Sequence, residues 1–270
     1  MVRDVTLGQY FPGNGLIHRT DPRVKIVLLI AFIVLIFCTF NYYALALTAA
    51  ATLLVVLLSG VPIKMYLKSL KVIIFIVVLT SLLNLFYSGG EPIWQWGFLK
   101  VTAEGINRAV FITVRIISLI LATSALTFTT SPTDLTDALE RLMKPLKVFH
   151  IKVHEIAMMM TIALRFIPTL LEETDKIMQA QKARGADMES GNMFKRVKAL
   201  VPVLIPLFVS SFRRAYDLAT AMECRCYKGG DGRTRMKILH MRKSDYTVTA
   251  FMILVTGGVI LCNILFQTVV

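Results

Sequence analysis

Acidic residues are few in this chain. There are 17 Asp plus Glu against 30 Lys plus Arg in 270 residues, a net charge of +13. Charge of either sign is also sparse, at 17%, while 56% of residues are hydrophobic. That balance excludes an ordinary soluble domain and argues for a membrane protein. Cysteine is scarce too: four are too few for a disulfide scaffold, and Cys38 and Cys262 lie in apolar runs where small buried hydrophobes are expected. No phosphate loop occurs, since Gly229-Gly230-Asp231-Gly232-Arg233-Thr234 lacks the lysine and the spacing. If the chain takes part in ATP-driven work, another chain must hydrolyse the ATP.

Long uncharged runs are what the sequence does have. Residues 26–58 contain 33 residues without a charge, roughly 50 Å of helix, too long for one crossing of a roughly 30 Å hydrocarbon layer. Two spans are expected, broken at Asn41-Tyr42-Tyr43, where a polar residue and two interfacial aromatics make a tight hairpin. Residues 72–87 supply a third span, 109–127 a fourth interrupted by Arg115, and 247–266 a fifth. A secretory signal is not expected, because 23 mostly polar residues precede a first run too long for one.

The basic residues set the orientation. Arg3, Arg19 and Arg23 precede the first span, and Lys64, Lys68 and Lys71 lie between the second and third. The first hairpin has none, the next outer loop holds Lys100 and Arg108, and the tail after Phe266 has no charge. The positive-inside rule therefore places the N-terminus in the cytoplasm and the C-terminus outside. Residues 129–246, with 20 Lys plus Arg and 13 Asp plus Glu, form a cytoplasmic block.

That block reads as helical. Ser131-Pro132-Thr133-Asp134 offers an N-cap serine, a proline at the first helical position and a carboxylate at the third. Leu135, Ala138, Leu139, Leu142, Met143 and Leu146 follow as one apolar face. Two longer helices are expected over about residues 153–183 and 193–224, kinked or divided by Pro168 and by Pro202 and Pro206. Their apolar stretches, 162–171 and 201–212, are too short to span and read as lying at the membrane face or against the spans. Each long helix ends alike: Ala180-Gln181-Lys182-Ala183-Arg184-Gly185, and 41 residues later Ala221-Met222-Glu223-Cys224-Arg225-Cys226. Gly185 reads as a C-cap, with Gly229-Gly230 following the second motif at greater distance, so each arginine projects from a helix C-terminus. Complementation of the helix dipole would by itself account for a cation there.

Gly15-Leu16-Ile17-His18-Arg19-Thr20-Asp21-Pro22-Arg23-Val24-Lys25, Thr130-Ser131-Pro132-Thr133-Asp134-Leu135, Leu164-Arg165-Phe166-Ile167-Pro168 and Ala183-Arg184-Gly185 occur in order over nearly the whole chain. Together they resemble the transmembrane T component of energy-coupling factor transporters, which take up vitamins and transition-metal ions. The resemblance implies a non-catalytic scaffold joining two cytoplasmic ABC ATPase subunits, expected as a heterodimer, to a separate substrate-binding S subunit in the membrane. It implies ATP and Mg on the partner ATPases and none bound directly. It further implies that Ala183, Arg184 and Gly185 contact one ATPase and Cys224, Arg225 and Cys226 the other. The second motif departs from the family's Ala-Arg-Gly, with cysteines flanking Arg225. Loss of the glycine bears on the geometry of that contact more than on its existence.

Other motifs compete for a role. Cys224-x-Cys226 is half of a thiolate metal site with no second pair in the block. His150 and His154 have the spacing of a zinc pair on one helix face, but Lys152 stands between them and no H-E-x-x-H occurs, so a structural role is expected. The acidic run Glu172-Glu173-Thr174-Asp175 reads as a solvated face opposing lysines. Arg115 either lines a substrate path, forms a buried pair, or snorkels outward. The 13 methionines suit irregular cores or an adaptable partner surface.

The expectation is an all-α membrane protein of the prokaryotic cell membrane. It divides into a cytoplasmic N-terminal segment (1–23), four spans (24–128), a cytoplasmic three-helix coupling domain (129–246) and a fifth span (247–270). The competing class is a self-contained permease or enzyme with a site among its spans, which would need intramembrane polar clusters; Arg115 and Asn84 are the main candidates. Nucleic-acid binding is not expected, because the positive charges are interleaved with acids and explained by topology.

Overall fold

A computed structural model describes residues 10–87, 92–96, 99–186, 192–230 and 240–266. Arg3, the string from Asp231 to Thr234 and the tail 267–270 lie outside the described residues. In chain order the helices are α1 (Leu16–Arg19), α2 (Pro22–Phe37), α3 (Tyr42–Leu58), α4 (Ile63–Tyr87), α5 (Ala103–Thr129), α6 (Pro132–Leu142), α7 (Val153–Ala183), α8 (Met193–Cys224) and α9 (Lys243–Leu265). A short 3-10 turn, Lys144–Phe149, precedes α7. The all-α class is as expected. One addition is a small antiparallel hairpin of β1 (Pro92–Trp96) and β2 (Leu99–Thr102) in the connection between α4 and α5, in register Trp96 to Leu99 and Gln95 to Lys100. Ile93, Trp94 and Trp96 are β-branched and aromatic residues, which suit a strand.

The described residues form two compact units, the first within 10–135 and 240–266 and the second within 136–230. In the first, α5 packs on α3, α4 and α2, and α9 packs on α2 and α3. Phe32, Ile36, Ala44, Ala51, Val255 and Val259 form one buried cluster, and Val56, Tyr66, Ala125 and Phe128 another. Several of these helices start on a side-chain cap. Asp21 caps α2, its carboxylate accepting from the Arg23 N–H at 2.9 Å, with Pro22 at the first position. Asn41 caps α3 at the expected break, its Oδ1 accepting from the Tyr43 N–H at 2.9 Å, and its Nδ2 donates to the Cys262 carbonyl of α9 at 2.8 Å. Thr102 caps α5 through the Gly105 N–H at 3.0 Å.

The N-terminal ends of α2 and α9 are joined by a buried polar knot. The Asp21 N–H donates to Asp245 Oδ1 at 2.8 Å, and Asp245 Oδ2 accepts from the Arg242 N–H at 2.6 Å. Lys25 Nζ, buried beside them, donates to the Thr129 carbonyl at 2.9 Å and to Thr130 Oγ1 at 3.2 Å, at the end of α5.

Several expectations are corrected. Lys64, Lys68 and Lys71 lie inside α4, which starts nine residues before the expected span, and Arg108 lies inside α5. Cys38 is exposed at the C-cap of α2 rather than buried, because the helix ends there. Leu146 falls in the 3-10 turn, past the end of α6, because Pro145 interrupts the helix. Pro168, Pro202 and Pro206 divide neither α7 nor α8, which run unbroken for 31 and 32 residues. By length and composition five described helices, α4, α5, α7, α8 and α9, are long and apolar enough to cross a membrane, which matches the expected number of spans. At 16 and 17 residues α2 and α3 are shorter, while unbroken α7 and α8 gain length from their polar ends.

Candidate functional site

The two arginine motifs end their helices in the same way. At the end of α7 the Gly185 N–H donates to the Lys182 carbonyl at 3.0 Å and the Ala186 N–H to the Gln181 carbonyl at 3.0 Å. At the end of α8 the Cys226 N–H donates to the Glu223 carbonyl at 2.8 Å and the Tyr227 N–H to the Met222 carbonyl at 3.1 Å. Both are Schellman closures, which turn on a residue in the left-handed region. Gly185 holds that position at φ +86° and Cys226 at φ +53°. Arg184 and Arg225 are the equivalent C-cap residues, and both are exposed, as are Ala183 and Cys224. The second tip therefore keeps the backbone geometry that its sequence had put in question.

Side chains set the register of α7 and α8. Glu173 accepts from the Ser210 hydroxyl and from Arg214 Nη2, the latter at 2.9 Å. Gln181 Nε2 donates to the Pro202 carbonyl at 3.4 Å. That carbonyl needs an outside donor, because its helical partner four residues on is Pro206, which has no N–H. Moving back along α7 from 181 to 173 moves forward along α8 from 202 to 210 and 214, so the pair is antiparallel. The chain after α8 returns to the start of α7, where a side chain on Gly230 would collide with the His154 ring at 2.3 Å. The two arginine tips therefore lie at opposite ends of the pair, on the order of 40 Å apart by helical rise.

The remaining candidates resolve differently. His150 sits in a left-handed turn before α7, so it shares no helix face with His154, which pairs with Glu140 of α6 at 3.0 Å. Glu173 bonds Ser210 and Arg214 of α8, while the Lys176 charge of its own helix also acts on it. Arg115 Nη2 donates to the Thr39 carbonyl at 2.7 Å, and its guanidinium stands 4.9 Å from the Phe111 ring centroid and 5.9 Å from that of Phe37. Asn84 donates to the Thr80 carbonyl of its own helix at 2.8 Å. Both polar candidates for a site among the spans are thus engaged in local structure. Reading the sequence missed Ser210, Arg214 and Asp245; a hydroxyl within the apolar stretch 201–212 was a signal for Ser210 alone.

These features define a class: a multi-pass helical membrane protein with two long helices, each tipped by an exposed arginine. A family model described as cobalt transport protein, CbiQ, matches residues 13–237. The chain is 53% identical to the energy-coupling factor transporter transmembrane protein EcfT of Ruminiclostridium cellulolyticum over 98% of this chain and 100% of that one. It is 52% identical to the EcfT of Clostridium kluyveri over 91% and 92%, and 47% identical to that of Bacillus subtilis over 95% and 97%. The chain belongs to this family of energy-coupling factor transporter transmembrane proteins.

Proposed function

We propose that this chain is the mechanical coupler of an energy-coupling factor importer, itself without catalytic activity. Arg184, flanked by Ala183 and Gly185, docks into one ABC ATPase subunit. Arg225, flanked by Cys224 and Cys226, docks into the other. ATP and Mg are bound by those subunits, expected as a heterodimer, and a separate S subunit carries the vitamin or transition-metal ion through the membrane. Closure of the ATPases moves the ends of α7 and α8 relative to one another, and that motion reorients the S subunit. In this reading residues 129–246 are cytoplasmic, with α7 and α8 lying at the membrane face, the N-terminus cytoplasmic and the C-terminus outside.

The observation that carries the reading is the pair of equivalent arginine caps at opposite ends of one antiparallel helix pair. A single active site would bring its functional groups together, whereas this arrangement holds two like groups far apart, suited to two like partners. Arginine fits the task because its planar fork pairs bidentately with a carboxylate and stays charged when desolvated. The test is a double variant, Arg184→Glu with Arg225→Glu, expressed with its neighbours. Loss of ATPase co-purification and of transport with normal membrane insertion is expected, and normal transport by a well-expressed double variant overturns the assignment.

A further inference from the structure

The first unit contains a cavity of about 300 Å³ between α2, α3, α5 and α9, with α1 at its mouth. That volume is at the small end of the roughly 300–1,000 Å³ range of ligand pockets. Its floor is Phe32, Ala51 and Val255, all buried and apolar. At the other end it meets Lys25 and Thr129, and its rim includes the exposed Leu16 and Thr247. The space is therefore apolar in depth and polar at one end, the profile of a lipid chain and its headgroup rather than of a polar solute.

We propose that this cavity holds one acyl chain of an anionic glycerophospholipid, with the lipid phosphate at the cationic end formed by α1 and the start of α9. An acyl chain gains little by leaving one apolar medium for another, so the headgroup decides which lipid is retained. Charge at that end is one-sided where it is accessible. Arg19 lies three residues after Leu16, and Lys243 one helical turn before Thr247; both are exposed. The Asp21 to Asp245 hydrogen bond of 2.8 Å holds these two segments together.

The acids at the same end are spent inward. Asp21 and Asp245 are 5% and 2% exposed; Asp21 accepts from Arg23, and Asp245 accepts the two backbone N–H groups of the polar knot. Asp134 is bonded to Ser131 at 2.8 Å. Lys25 also lines the cavity, but its ammonium already bonds Thr129 and Thr130 and contributes field rather than a direct bond. Arg19 and Lys243 are therefore the residues that select the headgroup.

The test uses the full chain, equilibrated in nanodiscs of equimolar phosphatidylglycerol and phosphatidylcholine and then transferred to mild detergent. Retained lipid is identified by native mass spectrometry. The wild type is expected to retain phosphatidylglycerol roughly thirtyfold over phosphatidylcholine, the ratio given by about 1 kcal/mol for each of the two cations. Arg19→Gln with Lys243→Gln, both surface changes, is expected to bring that ratio to about one while a lipid is still retained. Thr247→Phe, which narrows the mouth, is expected to lower both lipids together. Equal retention of the two lipids by the wild type, no retained lipid, or an unchanged preference in the double glutamine variant each overturns the proposal.

Discussion

Cys226 holds at the end of α8 the left-handed backbone position that Gly185 holds at the end of α7. The two hydrogen bonds that close the helix end are the same at both residues. Glycine enters that region freely, whereas a residue with a Cβ pays roughly 1–2 kcal/mol. Closure of the helix end therefore overrides the preference of the side chain at the second tip. What the two tips share is the placement of the arginine just before the turn.

The strain at Cys226 is removable. Cys226→Gly is expected to stabilise the chain by up to about 1 kcal/mol, and Gly185→Val to destabilise it by about 1–2 kcal/mol. A Cβ on Gly185 meets no atom within 4 Å, so crowding by other groups adds nothing and the cost is backbone strain. Thermal unfolding of the purified variants checks both. A lowered midpoint for Cys226→Gly would show that the cysteine is held by contacts worth more than the strain.

Asp245 closes the polar knot of the first unit. Asp245→Ala leaves the buried Asp21 N–H without its acceptor and removes the cap of α9, an expected loss of about 1–3 kcal/mol. Asp245→Asn keeps one carbonyl oxygen and should cost less. Denaturant unfolding of the two variants in detergent ranks them, and equal stability of alanine variant and wild type would remove the knot from any structural role.

Much of the fold was legible because the chain announces it with strong local signals. Asn41 marked the first hairpin, Ser131 and Pro132 the start of α6, and the bounds of α7 and α8 followed from polar ends around apolar middles. What was not legible depends on partners distant in sequence. Pro206 read as a kink or a division of the helix, yet α8 is continuous, and Gln181, 21 residues before Pro202, supplies a donor to the carbonyl that the proline leaves open. His150 and His154 looked like a pair, but the 3-10 turn ending in a left-handed His150 separates them. Of the candidate site, the arginine positions were legible and the left-handed geometry of Cys226 was not, because its residue type argues against it.

Arg115 makes a test of intramembrane charge without a carboxylate. Its hydrogen bond to the Thr39 carbonyl just past the end of α2, with the faces of Phe111 and Phe37 nearby, places it where the helix dipole is negative. Arg115→Leu is expected to destabilise the chain by about 1–3 kcal/mol through the lost charge-assisted bond. Arg115→Lys should recover part of that. If Arg115→Leu instead leaves stability unchanged and abolishes transport, the arginine belongs to a substrate path.

Glu173 ties α7 to α8, and its bond from Ser210, together with the Arg214 charge, holds its carboxyl below the usual glutamate range. A carboxyl with a folded pKa below its unfolded value adds stability above that unfolded value, near 4.3. The contribution is lost as pH falls through the lowered folded pKa. Glu173→Gln removes the charge at every pH, so wild type and variant should differ in unfolding midpoint at pH 7. Their difference should narrow only below about pH 4.3. Midpoints of both proteins measured from pH 7 to pH 3 give the comparison directly. A difference that stays constant over that range means the carboxylate charge does not hold the helices together, and the link between α7 and α8 rests on packing and the Gln181 bond instead.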